Sequence, residues 1–346
     1  MNRRVRQWLG FLLMLVGLAL LCGPFLLGTR EEWVQKQAVE TFYQEKQAAQ
    51  SASQDKQPVT EETVPESTEP HDLFYEKAKA YNESLVKNGQ DGMRSRADVE
   101  SFALSALDFG YSENLIGTLE IPRMEIELGL YLGADGENMA KGAAVFGMTS
   151  LPLGGDSENT AIAGHRGWRG SPMFRDIHLL QMDDPIYITT PWDTLTYRVC
   201  EIRIVTPEDN SWCRIQPGRT LISLMTCHPY GQNYQRYIVF AELSPEDKPS
   251  EEAIRAENAA SYDPSPRQIT QIHADGTSDT VTVDPAAIRP DGSEYGAVLS
   301  NFVILAEDKM RIAAWIGAAV VALSGIWLTV QTLRDFKKGE KHHESE

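Results

Sequence analysis

Leu221-Ile222-Ser223-Leu224-Met225-Thr226-Cys227 is a short apolar run that ends in a thiol. Its β-branched and apolar content reads as a buried strand. A polar turn, His228-Pro229-Tyr230-Gly231-Gln232-Asn233, follows, and then a second strand-like run from Tyr234 to Leu243 with Arg236 near its start. Runs joined this closely pair antiparallel, which puts a thiol and a guanidinium side by side at one rim of a sheet. Upstream, Thr160-Ala161-Ile162-Ala163-Gly164-His165-Arg166-Gly167 is another short apolar run, and it ends in an imidazole. A thiol becomes a nucleophile only with a base or a positive neighbour beside it. Cys227, His165 and Arg236 at three strand ends are the parts of a cysteine acyl-transfer site.

Outward from these runs the pattern continues. Strand-like segments at Ile116 to Ile121, Glu125 to Leu132, Pro185 to Thr189 and Leu195 to Val205 are separated by Gly, Pro, Asp and Asn turns. Together they predict seven or eight strands in an antiparallel sandwich or closed barrel over residues 115–245. Short helices fit at Glu137 to Lys141 and Met173 to Leu180. Before the barrel, Glu31 to Ala49 and Leu73 to Lys87 are helix-like, and Ser51 to His71 is polar with three prolines. Residues 28–114 are therefore expected to form a helical and flexible stalk. Residues 246–311 mix a charged helix-like stretch with Thr280-Val281-Thr282-Val283, which suggests an extra strand pair or a second tether.

Two uncharged apolar stretches, 8–27 and 312–333, bracket the chain, with Arg3, Arg4 and Arg6 before the first and Arg334, Lys337, Lys338 and Lys341 after the second. Each is long enough to cross about 30 Å of hydrocarbon. The flanking cations predict that 1–7 and 334–346 are cytoplasmic and that everything between the spans is extracellular. The net charge of −17 argues against nucleic acid as a partner. Of four cysteines, Cys22 lies in the first apolar stretch, and Cys200, Cys213 and Cys227 cannot all pair with one another. A Cys200–Cys213 bridge and two buried thiols both remain open, with buried thiols favoured. No metal-ligand spacing is present, so neither a metal nor a cofactor is expected.

Residues 115–245 resemble a sortase, the cysteine transpeptidases of Gram-positive bacteria, and most of all the class C, pilus-assembling type. Ser223-Leu224-Met225-Thr226-Cys227 resembles the family's Thr-Leu-x-Thr-Cys strand, with Arg236 at the family's interval. Ala163-Gly164-His165-Arg166-Gly167 resembles its histidine motif, and Thr149-Ser150-Leu151-Pro152-Leu153-Gly154-Gly155 resembles its Thr-Ser-Leu-Pro-x-Gly-Gly loop. An apolar segment after the catalytic domain also agrees with class C. The lid motif of that class, Asp-Pro-aromatic, has only Asp108-Phe109-Gly110 as a counterpart here, without the proline.

The resemblance implies a closed β-barrel and cleavage of a Leu-Pro-x-Thr-Gly-type sorting signal after the threonine. The acyl group would be held as a thioester on Cys227 and passed to an amine. His165 would move the proton, and Arg236, which stays protonated, would hydrogen-bond the substrate and the developing oxyanion. Thr226, His228, Thr149, Ser150, Leu151 and Pro152 are further candidates for substrate contact, and Asp108 and Phe109 for a lid. The implied partners are proteins with C-terminal sorting signals, an amine acceptor and the lipid bilayer. A pilin lysine is the favoured acceptor; the alternatives are housekeeping-type anchoring of surface proteins to the peptidoglycan cross-bridge, or a chain that is a non-catalytic membrane-tethered assembly scaffold.

Overall fold

The computed structural model describes residues 30–48, 70–90, 98, 100–111, 113–169, 171–245, 267–272 and 277–283, with a few helical positions at 12–17 and 316–330. Two compact units are distinguished, Glu31–Ser300 and Met1–Arg30 with Asn301–Glu346. The expected spans 8–27 and 312–333 lie largely outside the described residues. Among those described, no helix is long and apolar enough to cross a membrane.

The first unit is built on ten strands: β1 (Leu115–Ile121), β2 (Ile126–Leu132), β3 (Ala143–Val145), β4 (Glu158–Ala163), β5 (Pro185–Thr189), β6 (Thr194–Val205), β7 (Thr220–His228), β8 (Gln235–Leu243), β9 (Arg267–Ile272) and β10 (Ser278–Val283). The first eight close into a barrel in the order β6-β5-β1-β2-β3-β4-β7-β8, with β8 returning to β6. β6, irregular between Val199 and Glu201 where it faces β8, serves both neighbours. Its first residues pair with β5 and its later ones with β8. The mainly β, closed-barrel architecture is as expected. β3 was not anticipated, because three residues of Ala-Ala-Val carry no readable alternation. The helix expected at Met173 to Leu180 is a single 3-10 turn at Ile177–Leu179. The strand-like Thr280 to Val283 is the heart of β10, which forms a hairpin with β9 and extends the sheet beside β6.

Alternate side chains of each strand face opposite ways. One set, including Leu119, Leu130, Val145, Ile162, Ile188, Leu224 and Val239, fills the barrel. The other set, including Ala161, Ala163, Leu221, Ile238 and Phe240, forms an outer cluster with Phe146, Trp212 and Cys213.

Of the residues expected to form a stalk, the two helices pack on the barrel, and the polar spacer at Ser51 to His71 lies almost wholly outside the described residues. Helix α1 (30–48) buries Gln35, Val39 and Phe42, one stripe at helical spacing. Phe42 packs with Leu115 and Tyr131, and the Tyr43 hydroxyl donates to Glu127 Oε1 at 2.9 Å. Helix α2 (Pro70–Asn88) buries Phe74, Ala78, Asn82 and Leu85 in the same manner. Each stripe contains a polar residue with a built partner, which disguises it as solvated in the sequence. Helix α3 (Gly136–Lys141) is capped by Asp135, whose carboxylate accepts from the Glu137 and Asn138 amides.

Candidate active site

Three adjacent strands deliver the proposed groups. β4 and β7 run parallel, with Ala163 opposite Met225. Beyond that pair the Gly164 amide donates to the Met225 carbonyl at 3.1 Å, and Thr226 Oγ1 donates to the Gly164 carbonyl at 2.7 Å. The two strand ends stay in step, so His165 and Cys227 leave them side by side. On the other flank Cys227 is the direct antiparallel partner of Arg236. By alternation all three lie on the outer face, continuous with Ala161, Ala163, Met225 and Ile238. Cross-strand partners on one face hold their Cβ atoms about 5 Å apart. The register thus brings the residues that bear the thiol, the imidazole and the guanidinium to one rim of the sheet.

Each group is held from behind. Arg236 Nη1 donates to the carbonyls of Asn233 and Gln235, both at 2.9 Å, which tie its fork to the β7–β8 turn. His165 is half-buried, and its loss of water lowers its pKa from the ordinary imidazole value. A side chain at Gly164 would lie within 2.6 Å of the Phe174 ring, so only glycine lets the chain leave β4 there. Gly167, at φ +86, adopts the left-handed turn that returns the loop past Tyr230.

Beneath the thiol lies a buried cation. Arg166 is 8% exposed; its Nη1 donates to the Cys227 carbonyl at 3.3 Å and contacts His228 Nδ1 at 2.7 Å. Its guanidinium also sits 5.5 Å from the Tyr237 ring centre. Burial pulls its pKa down to about 10, so it remains charged near neutrality. Burial, and then Arg166, hold His228 well below the ordinary imidazole range. His228 is therefore neutral, with Nδ1 accepting and the proton on Nε2.

Residues 119–244 match the family model described as Sortase domain. The chain carries a sortase domain. Sortase A of Bacillus anthracis is 29% identical over 147 residues, covering 42% of this chain and 66% of the relative. Sortase A of Streptococcus agalactiae serotype III (strain NEM316) is 31% identical over 144 residues, covering 40% and 57% respectively. This chain thus spans less than two thirds of the length of either relative. Among solved structures, the fold is similar to sortase C1 of GBS Pilus Island 1, with a TM-score of 0.50 at 22% identity, over 63% of this chain and 95% of that one.

Several residues proposed from the sequence stand elsewhere in the sortase domain. Thr226 is 1% exposed and spends its hydroxyl on Gly164, and the buried His228 side chain is engaged by Arg166. Thr149, Ser150 and Leu151 are fully buried. Thr149 Oγ1 donates to the Phe146 carbonyl, and Leu151 exchanges two hydrogen bonds of 2.9 Å with the Asn82 amide. Glu158 closes the rest of that loop through the Leu153 and Gly154 amides. Ser150 pairs with Asn159, roughly 20 Å along β4 from His165. The loop resembling the family motif is a structural clasp between α2 and the barrel, and Pro152 with it is buried.

The lid candidates are misplaced as well. Phe109 stacks on Phe74 at 4.8 Å between ring centres, and Phe74 packs on Trp192 at 5.5 Å. Trp192 precedes β6, whose other end pairs with Arg236. A twelve-residue strand spans roughly 40 Å, so Phe109 and the exposed Asp108 sit at the end of the barrel away from the thiol. Cys200, Cys213 and Cys227 are all free thiols. Cys213 is buried as anticipated, and its pKa is pushed up to about 12 by that burial; Cys200 is exposed, against expectation.

Sequence reasoning quoted Arg166 only as part of a motif and missed Trp168, whose indole stacks on His165 at 4.3 Å between ring centres. The one signal available was an aromatic residue three positions beyond the histidine.

Proposed function

We propose that the sortase domain is a cysteine transpeptidase acting on a Leu-Pro-x-Thr-Gly-type sorting signal. The observation that carries this is the register placing Cys227 between Arg236 on β8 and the strand end that bears His165. In this reading His165 takes the proton of the Cys227 thiol as the sulfur attacks the threonine carbonyl. Arg236 donates to the oxyanion that forms, a role usually worth about 3 kcal/mol per donor. His165 protonates the departing glycine amine as the C–N bond breaks, leaving a thioester. An incoming amine then attacks the thioester, His165 takes its proton, and the thiol is released with a new amide bond formed.

The favoured acceptor is a pilin lysine, supported by the class C features of the sequence; a cross-bridge amine is the second reading. Both apolar stretches are taken as membrane spans, with the barrel outside the cell. Their exposed apolar side chains, among them Val16, Ile316, Val320, Leu323 and Trp327, support a lipid-facing surface.

The test is incubation of the purified full-length protein with a sorting-signal peptide and two competing amines, a pilin-derived lysine and a cross-bridge peptide. An acyl adduct on Cys227, seen by intact-protein mass spectrometry, and lysine-linked product are expected. Both should vanish in Cys227→Ala. Product from that variant would place the nucleophile elsewhere, and preferential use of the cross-bridge would overturn the pilin assignment.

A further inference from the structure

We infer that Trp168 is a positioning residue for His165, and that helix α1 holds it in place from outside the barrel. An imidazole that gives and then takes a proton must keep its ring aimed through both steps, yet two free torsions allow it to swing. The Trp168 indole lies over it at 4.3 Å between centres and only 10° from parallel. The indole N–H is buried and has no hydrogen-bond partner among the described residues. A tryptophan usually finds such a partner when buried, so its place here is set by the ring stack.

The loop that carries Trp168 is closed on itself. Trp168 and Ser171 exchange backbone hydrogen bonds of 2.9 and 2.8 Å, and the Phe174 amide returns to the His165 carbonyl at 2.9 Å. Arg169 within it is held at φ 47, a conformation a side-chain-bearing residue keeps only when its surroundings impose it. Those surroundings include α1. The Ser171 hydroxyl, 2% exposed, donates to Gln35 Oε1 at 2.8 Å, and Gln35 is itself 4% exposed. Arg169 lies 5.2 Å from the Trp168 ring centre and pairs with Glu31 at 3.7 Å. Three successive contacts thus run from α1 to the imidazole.

The charged and titratable groups on the elements beside His165 include Cys227 on β7 and Arg236 on β8 by register, Arg166 and Arg169 on its own loop, and Glu31 on α1 beyond Arg169. The stack screens one face of the ring from water, in keeping with the depressed pKa of His165. This inference rests on His165 being the proton carrier, and its test separates the two. NMR titration of the His165 ring in full-length Cys227→Ala protein needs no turnover. Adding Trp168→Ala is expected to raise the imidazole pKa toward about 6.5. In the active protein, Trp168→Ala should lower kcat by roughly tenfold or more with little change in KM, while Trp168→Phe, which keeps a stacking ring, should restore both readouts. Gln35→Ala, remote from the site and therefore a safeguard if Trp168→Ala fails to fold, should move them in the same direction. An unmoved titration in Trp168→Ala, or a loss that phenylalanine does not restore, overturns the positioning role; an unmoved titration in Gln35→Ala overturns the part given to α1. An inactive wild-type protein would instead sink the transpeptidase reading.

Discussion

Thr226 fixes the offset between the strand ends that carry imidazole and thiol. Its hydroxyl bonds the Gly164 carbonyl at 2.7 Å in a fully enclosed setting. Thr226→Val keeps the shape and leaves that carbonyl unpaired, a loss of about 1–3 kcal/mol. The expected outcome is a lower urea midpoint together with a fall in kcat larger than any change in KM. A variant as stable and as fast as the parent would show that strand pairing alone sets the offset. Cys227, His165 and Arg236 were readable because a strand end is a local feature, announced by a short apolar run and the turn that stops it. Arg166 and Trp168 were not, because their roles depend on partners 62 residues distant or on the angle of a ring. Nor was the inward aim of His228, which follows from alternation carried to the last residue of β7, beyond the apolar run that announces the strand.

Among the elements, the run before β1 shows how a sequence can identify a helix and misjudge its place. The Glu-, Gln-, Lys- and Ala-rich composition of α1 and the Lys- and Glu-bearing run of α2 read correctly as helical, but Gln35 and Asn82 hide the buried stripes. Each makes side-chain hydrogen bonds to the barrel, so a position that looks solvated is an anchor. The short 3-10 turn Ala106–Phe109 belongs to the same layer, packed on α2. Phe109→Ala is therefore expected to cost roughly 1–3 kcal/mol of stability, since the ring is partly buried. Cleavage of a free sorting-signal peptide should be unchanged when measured well below the melting temperature. Faster cleavage would restore a lid role and contradict the position described for Phe109. Strands long enough to alternate were legible to within a residue or two, and β3 was too short to announce itself.

At the scale of the molecule, closure of the barrel could not be read from periodicity, which says nothing about which strands become neighbours. Beneath α1, the β1–β2 hairpin sets a pair of carboxyls, Glu120 and Glu127, directly opposite one another. Burial, and then Glu127, push the Glu120 carboxyl up to about 7. A carboxyl raised in the folded state favours folding when protonated. Its contribution is fully present below about 4.5 and is lost as pH rises through about 7. Glu120→Gln removes that loss. The melting temperature should rise by roughly 2–4 °C at pH 8, the response to about 1 kcal/mol in a domain of this size, and stay nearly constant at pH 4. An equal shift at both values would point to packing instead of charge.

The parallel union of β4 with β7, and the return of β8 to β6, bear on when reactivity is born. Parallel pairing across a long intervening stretch closes slowly, because chain entropy is lost before contacts repay it. During synthesis Arg236 can reach the sulfur through the local β7–β8 pairing, whereas the strand end bearing His165 meets it only once β4 and β7 have joined. Proton transfer between imidazole and sulfur thus waits on the slow parallel union and not on the quick hairpin.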